Sequence, residues 1–371
     1  MAGLRGKFYG IKRITAAVHI FAMSKIKLIH VGLGRWGSDW VQQVYPGSSD
    51  VEPVAYVDKD PEALGRAQSK LGASPAKFFP ALRDAVAATD AEAVVVTLPL
   101  PLHAAVAREA LLAGKHVIVE KPLTQTLEEA RGLVGIAEER SRVLMVSQNY
   151  RFFGAPQAAY EFVRDAWFGQ LHTVQVDFRL NAVAEGYGSR HQGLPNPLLA
   201  DMAVHHFDLM RMVIGEDPVE LSCRAWIPRG SPYQMPPCAV VVLTFPSGIV
   251  VNYRGSWVDQ APKTPWAGRW QMDFEQGSLF WTARGDRPLV NRQDRMSIRR
   301  LNCEPEDVDL EPMPKYDRVG VLNAFAAAIR SGTPPPFFSS GRDNISTLSI
   351  IEAAIRSSSQ SGASVQIGTL H

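Results

Sequence analysis

The sequence has only three cysteines, Cys223, Cys238 and Cys303, and no CxxC pair. An odd, scattered set supplies neither a disulfide framework nor a zinc ribbon, and it favours a reducing, cytoplasmic setting. Charge of one sign is also missing. The 39 Lys and Arg face 37 Asp and Glu, and a net charge of +2 is too small for a nucleic-acid surface. No apolar run reaches the roughly 18 residues that a membrane span needs, so no membrane partner is expected. Internal repeats and low-complexity tracts are absent as well, and glycine and proline are spread along the chain as in a globular protein. A small molecule is the partner these absences leave.

Residues 1–22 stand apart. Four basic residues precede a short apolar run that His19 interrupts, the rough outline of a signal peptide, yet no small-x-small cleavage site follows. Met23-Ser24-Lys25 then opens directly into a strand-like run, with the look of a natural start. Residues 1–24 are therefore expected to be a leader outside the folded chain, with an export signal or a structural arm as alternatives.

The remaining length suits two domains. From Ile26 to Val31 a buried strand leads into the glycine turn GLGRWG, with a helix expected from Ser38 to Tyr45. A second strand ends at Asp58, after which Asp60-Pro61 caps and starts a helix that Gly72 stops. AEAVVVTLP and HVIVE read as further buried strands, and Thr126 with Glu129 forms a capping box. Continuous apolar strands separated by helices predict a doubly wound parallel sheet, a Rossmann domain over residues 25–147. Beyond it the pattern changes to hairpins, one turning at Pro246-Ser247-Gly248. These predict a mostly antiparallel open sheet in an α/β domain over residues 148–371, which would bind substrate and pair subunits.

Gly32-x-Gly34-x-x-Gly37 follows a strand and opens a helix, and Asp58 stands 21 residues beyond Gly37 at the end of the next strand. That is the context of a dinucleotide fingerprint. Gly32 permits the tight turn, Gly34 admits the pyrophosphate to the backbone, and Gly37 lets the helix pack on the sheet. Asp58 would bind the adenosine ribose hydroxyls and repel a 2′-phosphate, which selects NAD over NADP, although Lys59 beside it works the other way.

Glu120-Lys121-Pro122 ends a parallel strand, where ligands bind in such sheets, so Lys121 is expected to point into the crevice, with a solvated loop lysine as the alternative reading. In NPLLADMAVHHFDLMRMVIG, Asn196 would cap and Pro197 start a helix on which Asp201, His205 and Asp208 share one face. A carboxylate one turn from a histidine would fix its orientation and tautomer and raise its pKa toward the operating pH, as suits a proton acceptor. His205 and His206 could instead be core histidines. They could also join Asp208 as metal ligands, but adjacent helical residues lie about 100° apart and converge poorly, so no metal is expected. Asn149-Tyr150-Arg151-Phe152 falls at the domain boundary, where Asn149 and Arg151 are candidates for binding a polyhydroxylated ligand, with packing between the domains as the alternative reading. Trp257, Trp266, Trp270 and Trp281 are assigned to core or interface rather than to the site. Substrate choice would lie with loops near Asn149, Tyr187, Arg190 and His191.

The glycine fingerprint, the stretch from His103 to Pro122 ending in AGKHVIVEKP, NYRF, and the segment Asp201 to His205 together resemble the glucose-fructose oxidoreductase, inositol dehydrogenase and rhizopine-catabolism oxidoreductase family, Gfo/Idh/MocA. The resemblance runs from about Lys25 to the C-terminus. It implies a Rossmann domain followed by a large open sheet that pairs in dimers or tetramers. It implies that Lys121 holds the substrate hydroxyl near the nicotinamide, that His205 accepts the proton, and that Asp201 partners them. Arg35, Trp36, Leu98, Pro99, His103 and Glu120 complete the candidate cofactor contacts. Ala203 stands where the family often has glycine, and Leu98-Pro99 where Thr-Pro or Ser-Pro is common. The implied function is NAD-dependent hydride transfer to or from a sugar, inositol or related polyol. An NAD-dependent glycoside hydrolase or a non-enzymatic nucleotide-sensing binder are the alternatives.

Overall fold

The computed structural model describes residues 24–72, 74–285, 294–313 and 315–368. The leader expected at the N-terminus lies, up to residue 23, outside them. Six strands form the first sheet: β1 (Ile26–Val31), β2 (Val51–Val57), β3 (Lys77–Phe79), β4 (Ala93–Val96), β5 (His116–Glu120) and β6 (Leu144–Ser147). They are all parallel and lie in the order β3-β2-β1-β4-β5-β6. Strand order reverses between β1 and β4, which opens a crevice at the carboxyl ends of these two strands. The central strands β4 (AVVV) and β5 (HVIVE) are buried on both faces, as their apolar runs require, and β1 (IKLIHV) is buried with His30 among its enclosed residues.

The connecting helices are α1 (Arg35–Asp39), α2 (Pro61–Leu71), α3 (Leu82–Ala88), α4 (His103–Leu112) and α5 (Leu127–Glu139). Asp60 accepts from Glu62 N at 2.9 Å with Pro61 in the first turn, and the Thr126–Glu129 capping box is fully formed. The first helix departs from expectation. It starts at Arg35 rather than Ser38, directly behind Gly34, and continues through a π-helical turn at Trp40–Val44.

The second sheet has nine strands: β7 (Leu171–Arg179), β8 (Glu220–Trp226), β9 (Cys238–Thr244), β10 (Val250–Ser256), β11 (Arg269–Phe274), β12 (Gly277–Thr282), β13 (Arg295–Arg300), β14 (Glu306–Asp307) and β15 (Val365–Gln366). Among the described residues of this sheet, only β7 and β10 pair in parallel. The expected turn at Pro246-Ser247-Gly248 joins β9 to β10, with Gly248 at φ 88°. Five more helices follow the first domain's: α6 (Gly154–Arg164), α7 (Ser189–Gln192), α8 (Ala203–Ile214), α9 (Asp317–Ser331) and α10 (Gly341–Ser359). α6, α8 and α10 cover one face of the sheet. The other face carries Val240, Val242, Asn252 and Arg254 outward. Trp270 and Trp281 stack across β11 and β12 at 4.5 Å, fully buried, as core residues.

The last two helices turn back to the first sheet. Val321, Leu322 and Phe325 of α9 pack with Leu28, Trp40 and Val44, while Arg330 reaches Asp50 at 2.7 Å. α10 packs on α5 and β6, and Ser340 bridges to Met145. Among the described residues no helix is long and apolar enough to cross a membrane.

Candidate active site

The glycine turn is built from below by a buried network. His30, fully enclosed, places Nε2 at 2.8 Å from the Gly32 carbonyl, which can only accept, so Nε2 carries the hydrogen and Nδ1 accepts from Tyr45 Oη at 2.6 Å. Thr97 Oγ1 donates to the same carbonyl at 2.8 Å. Burial lowers the His30 pKa to about 4, so the ring stays neutral. Gly32 sits at φ 101°, a conformation that favours glycine. A Cβ on Gly37 would lie 1.8 Å from the Gly32 carbonyl oxygen, so only glycine lets the helix approach. A Cβ on Gly34 would meet nothing within 4 Å. That open space beside exposed backbone is what a pyrophosphate needs.

Beside the turn lies a cavity of about 730 Å³ lined by Gly32, Gly34, Asp58, Leu82, Leu98 and Pro99 among others. Asp58 is oriented by two backbone N–H groups, Leu33 N to Oδ2 at 2.7 Å and Asp60 N to Oδ1 at 3.0 Å. These residues fit a dinucleotide: an apolar slot for the adenine, a fixed carboxylate at its rim and an unobstructed glycine turn. Lys59, Arg66 and Arg83 also line the cavity. Arg35 and Trp36 are exposed at the start of α1, and the Arg318 guanidinium sits 4.4 Å from the Trp36 ring centroid.

Glu120 and His103 do not line this cavity. Glu120 is buried, accepts from Trp40 Nε1 at 2.7 Å and from Ser147 Oγ at 3.2 Å, and so fixes the end of β5 from which Lys121 projects. His103 lies buried with its ring nitrogens 2.8 Å from the carbonyl oxygens of Leu98 and Pro122. It ties the segment carrying Leu98-Pro99 to the segment carrying Lys121.

Lys121 Nζ donates to both Asp201 O, at 2.8 Å, and Asp201 Oδ1, at 2.9 Å. Asp201 belongs to a π-helical turn, Pro197–Met202, that precedes α8. Asn196, expected to cap this helix, is left-handed at φ 46° and makes no side-chain cap bond. Packing opposes ionisation of Asp201, but the Lys121 ammonium and His191 hold its carboxyl well below the usual range. His191 Nε2 lies 3.8 Å from Asp201 Oδ2, and its Nδ1 meets Tyr233 Oη at 2.7 Å.

The expected Asp201–His205 pairing is not formed. The π turn takes Asp201 out of the α-helical register, and among the described residues His205 bonds instead to Gln148, Nδ1 to Oε1 at 3.2 Å. The Tyr150 ring stacks on the imidazole at 4.1 Å, nearly parallel. Nor is the His205 pKa raised. Burial lowers it well below its ordinary value, and Lys121, Arg284 and His206 add to this against Asp201. A neutral imidazole suits an acceptor as well. His206 turns away, toward Tyr253 Oη at 3.1 Å and the Trp266 carbonyl at 3.0 Å. Among the described residues no group of three His, Cys, Asp or Glu side chains is placed to hold a metal.

Two candidate substrate ligands are engaged elsewhere. Arg151 is buried, with Nε and Nη2 on Asp208 at 2.6 and 2.7 Å, Nη2 also on Asp343 at 2.6 Å, and Nη1 on the Phe338 carbonyl at 3.3 Å. Asp208, expected on the face of His205, is thereby a structural partner for Arg151. Asn149, also buried, donates to Asp317. The four-residue turn Asn149–Phe152 thus joins helices rather than lining the cleft, and Tyr150 alone of it reaches His205.

Gln148, Tyr233 and Arg284 were not singled out by sequence. Arg284 follows β12, donates to Tyr150 Oη at 2.5 Å and lies over the Tyr150 and Trp266 rings at 5.0 and 5.4 Å. A lone arginine so far along the chain from Lys121 carries no local signal. Gln148 directly precedes the NYRF motif, which was its only available cue.

Residues 26–148 match the GFO/IDH/MocA oxidoreductase family, described by its NAD-binding Rossmann fold. Residues 157–280 match the GFO/IDH/MocA C-terminal domain. The chain is 26% identical over 330 residues to the D-apiose dehydrogenase of Paraburkholderia graminis, covering 86% of this chain and 84% of that one. It is 29% identical over 197 residues to the inositol 2-dehydrogenase of Rhizobium meliloti, covering 53% and 57%. The crystal structure of an oxidoreductase from Agrobacterium radiobacter in complex with NAD+, L-tartaric acid and magnesium superposes with a TM-score of 0.81 at 18% identity, over 93% of this chain and 99% of that one.

Proposed function

The chain belongs to the Gfo/Idh/MocA oxidoreductase family, and on that premise we propose that it moves a hydride between NAD and a hydroxyl-bearing carbon of a sugar, inositol or related polyol. The observation that carries this reading is Lys121 Nζ held between two oxygens of Asp201, near a buried, neutral His205. An ammonium has three donors, and Asp201 occupies two of them. The third is available to a substrate oxygen, where the cation lowers the hydroxyl pKa. His205 is the acceptor for the proton that leaves that oxygen. Bound NAD supplies the hydride acceptor at its nicotinamide, and in the reductive direction the hydride donor.

Dehydrogenases of D-apiose and of inositol among the relatives support a polyhydroxylated substrate. The outward apolar residues Val240, Val242 and Trp226 on the second sheet support self-association as a dimer or tetramer. The test is NADH formation at 340 nm with a panel of inositols, sugars and sugar acids. Turnover with at least one of them, reduced about 100-fold or more in Lys121→Met and His205→Asn, is the expected result. A panel that yields no NADH from protein that binds NAD would overturn the proposal.

A further inference from the structure

A histidine that accepts a substrate proton must present the nitrogen that lacks one, and the hydrogen bond on the other nitrogen decides which that is. Among the described residues, the hydrogen bond of the His205 ring is the one at Nδ1, 3.2 Å from Gln148 Oε1. An amide oxygen only accepts, so Nδ1 carries the hydrogen and Nε2 the lone pair. Tyr150, lying flat against the imidazole with 8° between the planes, blocks the rotation that would exchange the two nitrogens. Gln148, Tyr150 and His205 are all buried. Among the described residues the enclosed Gln148 Nε2 has no hydrogen-bond partner, an arrangement with a stability cost and one that calls for a reason.

We propose that Gln148 is a positioning residue for the reaction, holding His205 as its Nδ1–H tautomer so that Nε2 is free to take the substrate proton. This rests on the dehydrogenase reading above. In the oxidative direction the C–H bond breaks with its electron pair passing to NAD, the O–H proton passes to Nε2, and the carbonyl forms. The choice of an amide over a carboxylate has a consequence. A carboxylate behind the ring would stabilise the imidazolium and keep the proton there, whereas the neutral amide orients the ring without doing so. Three of the four charged and titratable groups that face His205 work in the same sense. Lys121 from the end of β5, Arg284 from beyond β12 and His206 on its own helix disfavour the charged ring, and Asp201 from the π turn opposes them. Tyr150 stays neutral, since burial, partly offset by Arg284, raises its pKa to about 12.

The tautomer can be read without substrate. In full-length protein labelled with 15N-histidine, two-bond 1H–15N couplings distinguish the ring nitrogens, and loss of a signal in His205→Asn assigns it. The expected result is the Nδ1–H form in the wild type, and a shift toward the other form in Gln148→Met with kcat reduced about 10- to 100-fold and KM within about two-fold. Gln148→Glu keeps an acceptor on Nδ1, so the acid limb of kcat/KM is expected to move up by about 1 pH unit or more. An Nε2–H form in the wild type, or an unmoved acid limb in folded Gln148→Glu, would overturn the proposal. A wild type with the Nδ1–H form but no turnover on any substrate would instead remove the dehydrogenase reading and leave the positioning geometry standing.

Discussion

Arg151→Met separates a structural arginine from a substrate-binding one. The guanidinium satisfies Asp208 through two bonds of 2.6 and 2.7 Å, with side chains only 6% and 1% exposed. Methionine would leave Asp208 enclosed with Thr347 Oγ1, at 3.3 Å, as its remaining hydrogen-bond donor. Removing one partner of a buried ion pair costs about 3–5 kcal/mol. At roughly 2–4 °C per kcal/mol for domains of 150–250 residues, that is a loss of about 10 °C or somewhat more in thermal midpoint. Burial already raises the Asp208 pKa and Arg151 works against that, so without the arginine the carboxyl rises further. A folded-state pKa above the unfolded value means that the folded protein takes up the proton first. The deficit of the variant is therefore largest at high pH and shrinks as pH falls through the raised pKa. Thermal unfolding at pH 8 and pH 5.5, with NADH turnover on the surviving fraction, measures both quantities. The double variant Arg151→Met/Asp208→Leu is expected to regain much of the loss. An unchanged midpoint with a raised KM would refute this reasoning and return Arg151 to the substrate.

The glycine turn yields a contrast. Gly34→Val, with nothing within 4 Å of its Cβ, is expected to keep its thermal midpoint within about 2 °C while NADH affinity, read by fluorescence titration, falls at least about 10-fold. Gly37→Ala, 1.8 Å from a backbone oxygen, is expected to lose stability itself, and equal midpoints for the two would contradict the close approach. Acid sensitivity follows from His30 and His206, whose pKa values burial lowers from 6.5 to about 4. The unfolded chain takes up protons below pH 6.5 and the folded chain does not, so their contribution is full above 6.5 and is lost between 6.5 and 4, about 3 kcal/mol for each. Urea midpoints at pH 7.5 and 5 test this, and a flat profile would refute it.

Much of this molecule is written locally. The Asp60 and Thr126 caps and the hairpin at Gly248 follow from residues within one turn of each other, where sterics and capping decide the outcome. Asp201 and His205 were found by spacing and then misjudged by it. The spacing argument assumed an α-helix, and the π turn at Pro197–Met202 gives Asp201 to Lys121 and leaves His205 to Gln148. The burial of Arg151 is not legible from a boundary position, because its two carboxylate partners lie 57 and 192 residues further along the chain. Arg284 depends on the same long-range packing and has no sequence signature at all.

The return of α9 to the first sheet bears on how the chain folds during synthesis. The interior that includes Leu28, Trp40 and Val44 is completed by Val321, Leu322 and Phe325, almost 300 positions later. Ribosomes add roughly 5–20 residues each second, so the nucleotide-binding half, complete near its last strand, spends roughly 10–35 seconds with that apolar surface uncovered. Contacts of such separation also slow folding, because a long loop must close before they form. A chain ending before α9 is therefore expected to leave this apolar surface of the first domain open to aggregation.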